Sequence, residues 1–177
     1  MRKILAFAGS TSSVSINKKL AIFAAENLKE TTFEIIDLRD FEMPIYSIDE
    51  EEHGFPEQAK RFTSLLDNYD GFILSLAEHN GSYAAAFKNI YDWSSRIEAT
   101  VFRDKPLLLL ATSPGSMGGR FVLKAGVQKF SRMGAKTINS FSLPDFDTHF
   151  KGAKIIDTSL LKALLAQITE FEKAVHS

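Results

Sequence analysis

The chain has 177 residues, 45% apolar and 24% charged, with 21 basic and 22 acidic side chains and a formal net charge of −1. That length suits one domain over residues 1–177, the composition excludes wholesale disorder, and near-neutrality leaves no electrostatic footprint for nucleic acid or an anionic membrane surface. The absence of cysteine removes disulfides, thiolate nucleophiles, iron–sulfur clusters and Cys-ligated zinc. Met1-Arg2-Lys3 leads into an apolar run that ends at Gly9-Ser10, too short for an export segment. No uninterrupted apolar stretch approaches the roughly 20 residues of a membrane-spanning helix, so the expected location is the cytoplasm.

The first element is the near-continuous apolar run Ile4–Ala8, the pattern of a parallel strand covered on both faces. A helical stripe at Leu20, Phe23, Ala24 and Leu28 follows. Phe33–Leu38 alternates polar with apolar, as an edge strand does. Phe41 to Gly54 reads as the longest loop, and its acidic run Asp49–Glu52, which lacks calcium-loop spacing, as a solvated stretch. Ala59, Phe62, Leu65, Leu66 and Tyr69 mark a second helix, Gly71–Leu76 a buried strand, and Phe87, Ile90, Tyr91 and Trp93 a third helix. Leu107–Ala111 is another buried strand, and Val122, Ala125, Gly126, Lys129 and Phe130 a fourth helix. Ile138–Leu143 alternates again, and a last helix runs from Ser159 to about Val175 with Leu161, Leu164, Leu165, Ile168 and Phe171. Strand and helix alternating throughout predict βαβ units and a doubly wound parallel sheet.

In such a sheet, ligands bind beyond the carboxyl ends of the strands, where the winding reverses. The loops after the first, third and fourth strands are therefore the ones to read. The first, Gly9-Ser10-Thr11-Ser12-Ser13-Val14-Ser15-Ile16-Asn17, packs six hydroxyl or amide side chains before a helix start, where unpaired N–H groups attract an anion. It lacks the Gly-Lys-Ser/Thr ending of a triphosphate loop and the three-glycine dinucleotide fingerprint. The plain alternative is that Ser15 or Asn17 simply caps the helix. A phospho-receiver domain is excluded, because the first strand ends in Ala8-Gly9-Ser10 with no carboxylate for a metal. The later loops, Ala77-Glu78-His79-Asn80-Gly81-Ser82-Tyr83 and Thr112-Ser113-Pro114-Gly115-Ser116-Met117-Gly118-Gly119-Arg120, are glycine-bearing segments that a flat ligand could approach, or ordinary surface turns.

Four segments in order make the chain resemble the NAD(P)H-dependent FMN reductase family of flavodoxin-like proteins, whose members include quinone, azo-dye and chromate reductases. They are Gly9, Ser10, Ser15 and Asn17; Asp37-Leu38-Arg39-Asp40 with Met43-Pro44-Ile45-Tyr46; Ala77–Ser82 with Phe87-Lys88-Asn89 and Asp92-Trp93; and Ser113, Gly115, Gly118 and Gly119. The chain departs from the family pattern at Ser12, often Arg, and at Ala77 and His79, usually Pro and Tyr. It departs again at Ala84-Ala85, in place of Pro-Gly.

The resemblance implies an α/β, flavodoxin-like, doubly wound five-stranded parallel sheet in the order 2-1-3-4-5, with helices on both faces. It also implies FMN, its phosphate on Ser10, Ser12, Ser15, the Ile16 amide and Asn17. Glu78, His79, Asn80 and Gly81 on one side and Ser113, Gly115, Gly118 and Gly119 on the other would border the flavin ring. NAD(P)H would be the co-substrate, a small-molecule electron acceptor the partner, and the reaction ping-pong hydride transfer with no catalytic side chain. No metal is expected, since the histidines lack ligand spacing. A homodimer or homotetramer follows by the same analogy, and the Phe87, Tyr91 and Trp93 stripe reads as either core or subunit contact. His79 fills the family's Tyr position by packing or by its backbone amide, and Arg120 either reaches a phosphate or decorates a helix. Two rival functions share the fold: a non-enzymatic electron carrier, whose flavin surroundings are typically acidic, and a flavin-free scaffold.

Overall fold

A computed structural model describes residues 1–177. In chain order its elements are β1 (Lys3–Gly9), α1 (Ile16–Glu26), β2 (Thr32–Ile35), α2 (Ile48–Glu52), α3 (Glu57–Leu65), β3 (Gly71–Leu76), β4 (Glu78–His79), β5 (Ser82–Tyr83) and α4 (Ala85–Ile97). There follow β6 (Lys105–Thr112), α5 (Arg120–Phe130), β7 (Ala135–Leu143), α6 (Phe146–His149), β8 (Phe150–Lys151), β9 (Lys154–Ile155) and α7 (Thr158–His176).

The five long strands form one sheet in the order β2-β1-β3-β6-β7, every pair parallel. Counting only those strands, this is the expected 2-1-3-4-5 winding, and both alternating runs lie at the edges. Successive side chains of a strand point to opposite faces, so each central strand feeds two cores. Leu5, Phe7, Phe72, Leu74, Leu107 and Leu109 pack with Phe62, Phe87, Tyr91, Val122 and Phe130 from α3, α4 and α5. Ile4, Ala6, Ile73, Leu108 and Leu110 pack with Leu20 and Phe23 of α1 and Leu164, Ile168 and Phe171 of α7. The two cores hold 21 and 19 buried residues, so both faces are covered about equally and near-continuous apolar strands are required.

Residues 41–54 are not the open loop that the sequence suggests. A 3₁₀ turn spans Leu38–Phe41, started by the Asp37 carboxylate, which accepts from Arg39 N–H and ends β2 at Ile35. The acidic run forms α2, because the Ser47 hydroxyl accepts from Glu50 N–H and acids in a first turn face the positive end of the dipole. Glu51 then takes bonds from Tyr46 and Arg96, while Trp93 Nε1 and Asn89 Nδ2 both donate to the Pro44 carbonyl, 2.8 and 3.0 Å away. The segment is thus strapped to α4. Trp93 is fully buried, with Phe87 and Tyr91 nearly so, which makes that stripe core.

Two small hairpins also escaped the sequence reading. One is β4–β5, turning at Asn80 and Gly81 (φ 52° and 73°), the left-handed pair of a tight two-residue turn. The other is β8–β9, turning at Gly152 and Ala153 (φ 52° and 64°). No helix of the chain is long and apolar enough to cross a membrane.

Candidate functional site

The carboxyl ends of β1, β3 and β6 converge, and their following loops enclose a cleft. Its lining includes Ser10, Ser12, Ser15, Ile16, Asn17, Glu78, His79 and Ser113, together with Val14, Ala77, Thr112 and Pro114. Eight of the thirteen candidate residues therefore share one concavity. The remaining five divide by burial. Asn80 and Gly81 form the exposed hairpin tip, Gly115 is exposed with open space where a Cβ would sit, and Gly118 and Gly119 are buried beneath the loop.

The first loop folds on itself. Ser10 Oγ accepts from Ser12 N–H (3.2 Å), Ser12 Oγ from Val14 N–H (3.3 Å), and the Ser12 carbonyl from Ser15 N–H (3.2 Å). Ser15 is the N-cap of α1, its Oγ accepting from Lys18 N–H at 3.1 Å. The N–H groups of Ile16 and Asn17 have no acceptor in the protein. They stand at the positive end of α1, ringed by serine hydroxyls, which is the arrangement that binds a phosphate.

Asn17 is 3% exposed, and its carboxamide is already committed. Its Oδ1 accepts from Ser75 Oγ (2.8 Å) and Thr112 N–H (3.0 Å), while Nδ2 donates to the Thr112 carbonyl (3.2 Å). One side chain thus ties α1 to the ends of β3 and β6. What Asn17 leaves unpaired is its backbone N–H. Ser75 and Thr112 are the residues that sequence reasoning passed over, and the signal was a lone hydroxyl inside the otherwise apolar Gly71–Leu76 run.

Glu78 is the one acidic residue of the lining, and its Oε2 accepts from Val122 N–H in the first turn of α5 (2.9 Å). No lysine or arginine lines the cleft. The nearby Lys18 is paired with Asp37 at 2.5 Å, and the Asp37 carboxyl lies well below the usual carboxylate range because of Arg39 chiefly, against the cost of burial, with help from Lys18. Any anion here is held by neutral donors, as the serine at position 12 leads one to expect.

The third loop is fastened at its base. Gly118 (φ 58°) lies so close to β7 that a Cβ would fall 2.3 Å from Ser142 Oγ, and Gly119 (φ 72°) would place one 3.0 Å from Ala111 Cβ. The Gly115 carbonyl accepts from Gly118 and Asp145 N–H, leaving its Cα side open. Arg120 is exposed and its guanidinium lies over the Phe121 ring, on the helix surface. Behind the hairpin, burial pushes the hydroxyls of Tyr83 and Tyr91 up, and neither has a hydrogen-bond partner.

A family model described as NADPH-dependent FMN reductase matches residues 2–148. The chain belongs to the NADPH-dependent FMN reductase family. Among curated relatives, the chain is 33% identical over 118 residues to a 2-hydroxy-1,4-benzoquinone reductase of Burkholderia sp, covering 66% of the chain and 63% of the relative. It is also 33% identical over 117 residues to an NAD(P)H-dependent FMN reductase of Pseudomonas aeruginosa, covering 66% and 62%. The matched stretches thus span less than two thirds of those relatives. In fold, it resembles the flavoenzyme NAD(P)H:(acceptor) oxidoreductase FerB of Paracoccus denitrificans, with a TM-score of 0.79 and 20% identity over 99% of this chain and 98% of that one. An apo NADH:FMN oxidoreductase aligns with a TM-score of 0.74 and 21% identity, over 98% of this chain and 89% of that one.

Proposed function

We propose that the chain binds FMN in this cleft and passes a hydride equivalent from NADPH or NADH to a small oxidised acceptor: a quinone, an azo compound, a metal oxyanion or free flavin. The observation that carries the reading is the pair of unpartnered N–H groups of Ile16 and Asn17, set among serine hydroxyls at the start of α1. Neutral, preorganised donors of this kind suit a phosphate ester. The residues present fit the group: the unpartnered donors at the start of α1 can take a phosphate, the one lining carboxylate, Glu78, bonds to Val122 N–H, and Gly115 leaves room for a flat ring to approach.

Ser10, Ser12, Ser15 and the amides of Ile16 and Asn17 would hold the phosphate. Glu78, His79, Asn80 and Gly81 would border the ring on one side, and Ser113, Gly115, Gly118 and Gly119 would shape the other. When bound, FMN supplies the hydride-accepting and hydride-donating chemistry. The chain supplies orientation, a partly apolar lining from Val14, Ala77 and Pro114, and loop backbone amides that would face charge developing on reduction. No side chain is needed as nucleophile. His79 is exposed and hydrogen-bonds to no carboxylate that would orient its ring, so its part is to border the ring site. A single cleft for both substrates requires the nicotinamide to leave before the acceptor enters, which is a ping-pong order. The reading includes a homodimer or homotetramer in the cytoplasm, which light scattering and cell fractionation check.

The test is a visible spectrum of the purified protein before and after adding FMN, followed by anaerobic mixing with NADPH and with NADH. Bound flavin bleached by either nucleotide, with parallel initial-velocity lines against the acceptor, is the expected result. A protein that ignores FMN overturns the cofactor assignment. Bound flavin that neither nucleotide bleaches leaves an electron carrier instead.

A further inference from the structure

The β4–β5 hairpin is the part of the cleft least able to hold itself. It pairs only Glu78 with Tyr83 and His79 with Ser82, and an isolated two-stranded ribbon is at best marginal in water. Besides a ring contact between Tyr83 and Phe87 of α4, with centroids 5.7 Å apart, it touches α5 at two points. At one, the Tyr83 ring stacks on Phe130, with centroids 5.9 Å apart and planes 25° from parallel. At the other, Glu78 Oε2 accepts from Val122 N–H at 2.9 Å. Val122 and Phe130 are separated by eight residues, about 12 Å of helix.

The helix, for its part, begins without local help. Its N-cap is Gly119, which has no side chain to offer, and its first turn contains no acid. The missing acceptor comes instead from Glu78, 44 residues earlier in the chain. A carboxylate there satisfies an orphan N–H and places negative charge at the positive end of the dipole.

We infer that Glu78 is a positioning residue: as the remote cap of α5, its carboxylate fixes the Glu78–Tyr83 hairpin and the Ser113–Gly119 loop, which runs straight into α5, as one wall of the cleft. The inference rests on the reading of the cleft as a flavin site, and it moves Glu78 from ligand to support of the ligand-facing backbone. Without the cap, the hairpin keeps the Tyr83 ring contacts and the bond from Ala84 N–H to the Ala77 carbonyl but loses its polar tie to α5, so both segments must be ordered further when the ligand binds, which weakens binding.

The test compares wild type, Glu78→Ala and Glu78→Gln by amide hydrogen exchange of the flavin-free protein and by FMN titration. In Glu78→Ala, Val122 N–H should exchange about tenfold faster while β3 amides are unchanged, and FMN affinity should fall about tenfold, the scale of one lost charge-assisted hydrogen bond. Glu78→Gln, whose amide oxygen still accepts, should recover most of both. Unchanged Val122 exchange in Glu78→Ala overturns the cap. Faster exchange with unaltered FMN affinity overturns the positioning role. Equal failure of Gln and Ala overturns the hydrogen bond as its means. A wild type that ignores FMN sinks the flavin reading alone, and Val122 exchange still decides whether the cap exists.

Discussion

The loop Ser10–Ser15 is secured by bonds that reach two or three residues along the chain, whereas the hairpin Glu78–Tyr83 leans on partners 44 and 47 residues away, Val122 and Phe130. The first is a local structure: alternating hydroxyls satisfy the nearby amides and leave those of Ile16 and Asn17 unpaired. The second exists because the sheet brings β3 beside β6, so that α5 passes within reach of a carboxylate. A cleft wall of the first kind forms wherever its sequence goes, while one of the second kind forms only in the completed fold.

Asn17 is where the two kinds meet, and it should give the largest effect. Asn17→Ala removes three buried hydrogen bonds and strands the Ser75 hydroxyl and the Thr112 N–H, which should cost about 3 kcal/mol in a urea unfolding titration. A loss under about 0.5 kcal/mol, the range of ordinary surface changes, would mean that the Asn17 carboxamide does not tie α1 to the ends of β3 and β6. The glycines of the third loop sharpen the contrast next. Gly118→Ala must place a methyl against Ser142 and Pro144 at a positive φ and should lose about 2 kcal/mol. Gly115→Ala meets nothing and should stay within about 0.5 kcal/mol, changing ligand affinity instead. Comparable destabilisation by both would erase the distinction between anchoring and ligand-facing glycine.

The smallest effect is electrostatic. Asp37 joins the end of β2 to Lys18 in the first turn of α1 and to Arg39, and both partners are partly exposed and screened. Its carboxyl is lowered in the folded state. The stability it contributes is therefore fully present above the unfolded value near 4 and is lost as pH falls through the lower folded value. Asp37→Asn should flatten that acid limb of the stability curve and leave the neutral region nearly parallel to wild type. An unaltered acid limb would show that the pairing is not felt in solution.

Much of the fold was legible because its signals are local and repetitive. Apolar runs of five or six residues at Ile4–Ala8, Gly71–Leu76 and Leu107–Ala111, alternating with helical stripes, fit the doubly covered strands of a parallel sheet, and the alternating runs belong at its edges. The first loop could be placed at a helix start from its serines. Residues 41–54 misled because α2 is only five residues long and carries no apolar stripe. What orders it is Ser47 at its start and Trp93, Asn89 and Arg96 across, and although Ser47 is local, no window of local sequence contains the other three.

The same boundary runs through the site. The sequence by itself determined the parallel sheet and the serine-dense turn, since periodicity and short-range hydrogen bonding act between near neighbours, while the strand order came with the family resemblance carried by its motifs. Only the tertiary structure decided that the Asn17 carboxamide is spent on Ser75 and Thr112, that Gly118 and Gly119 serve packing while Gly115 stays open, and that Glu78 caps a helix far along the chain. Those assignments depend on which donors and acceptors meet once the strands are assembled, and pairing across so many residues leaves no trace in the spacing of the chain.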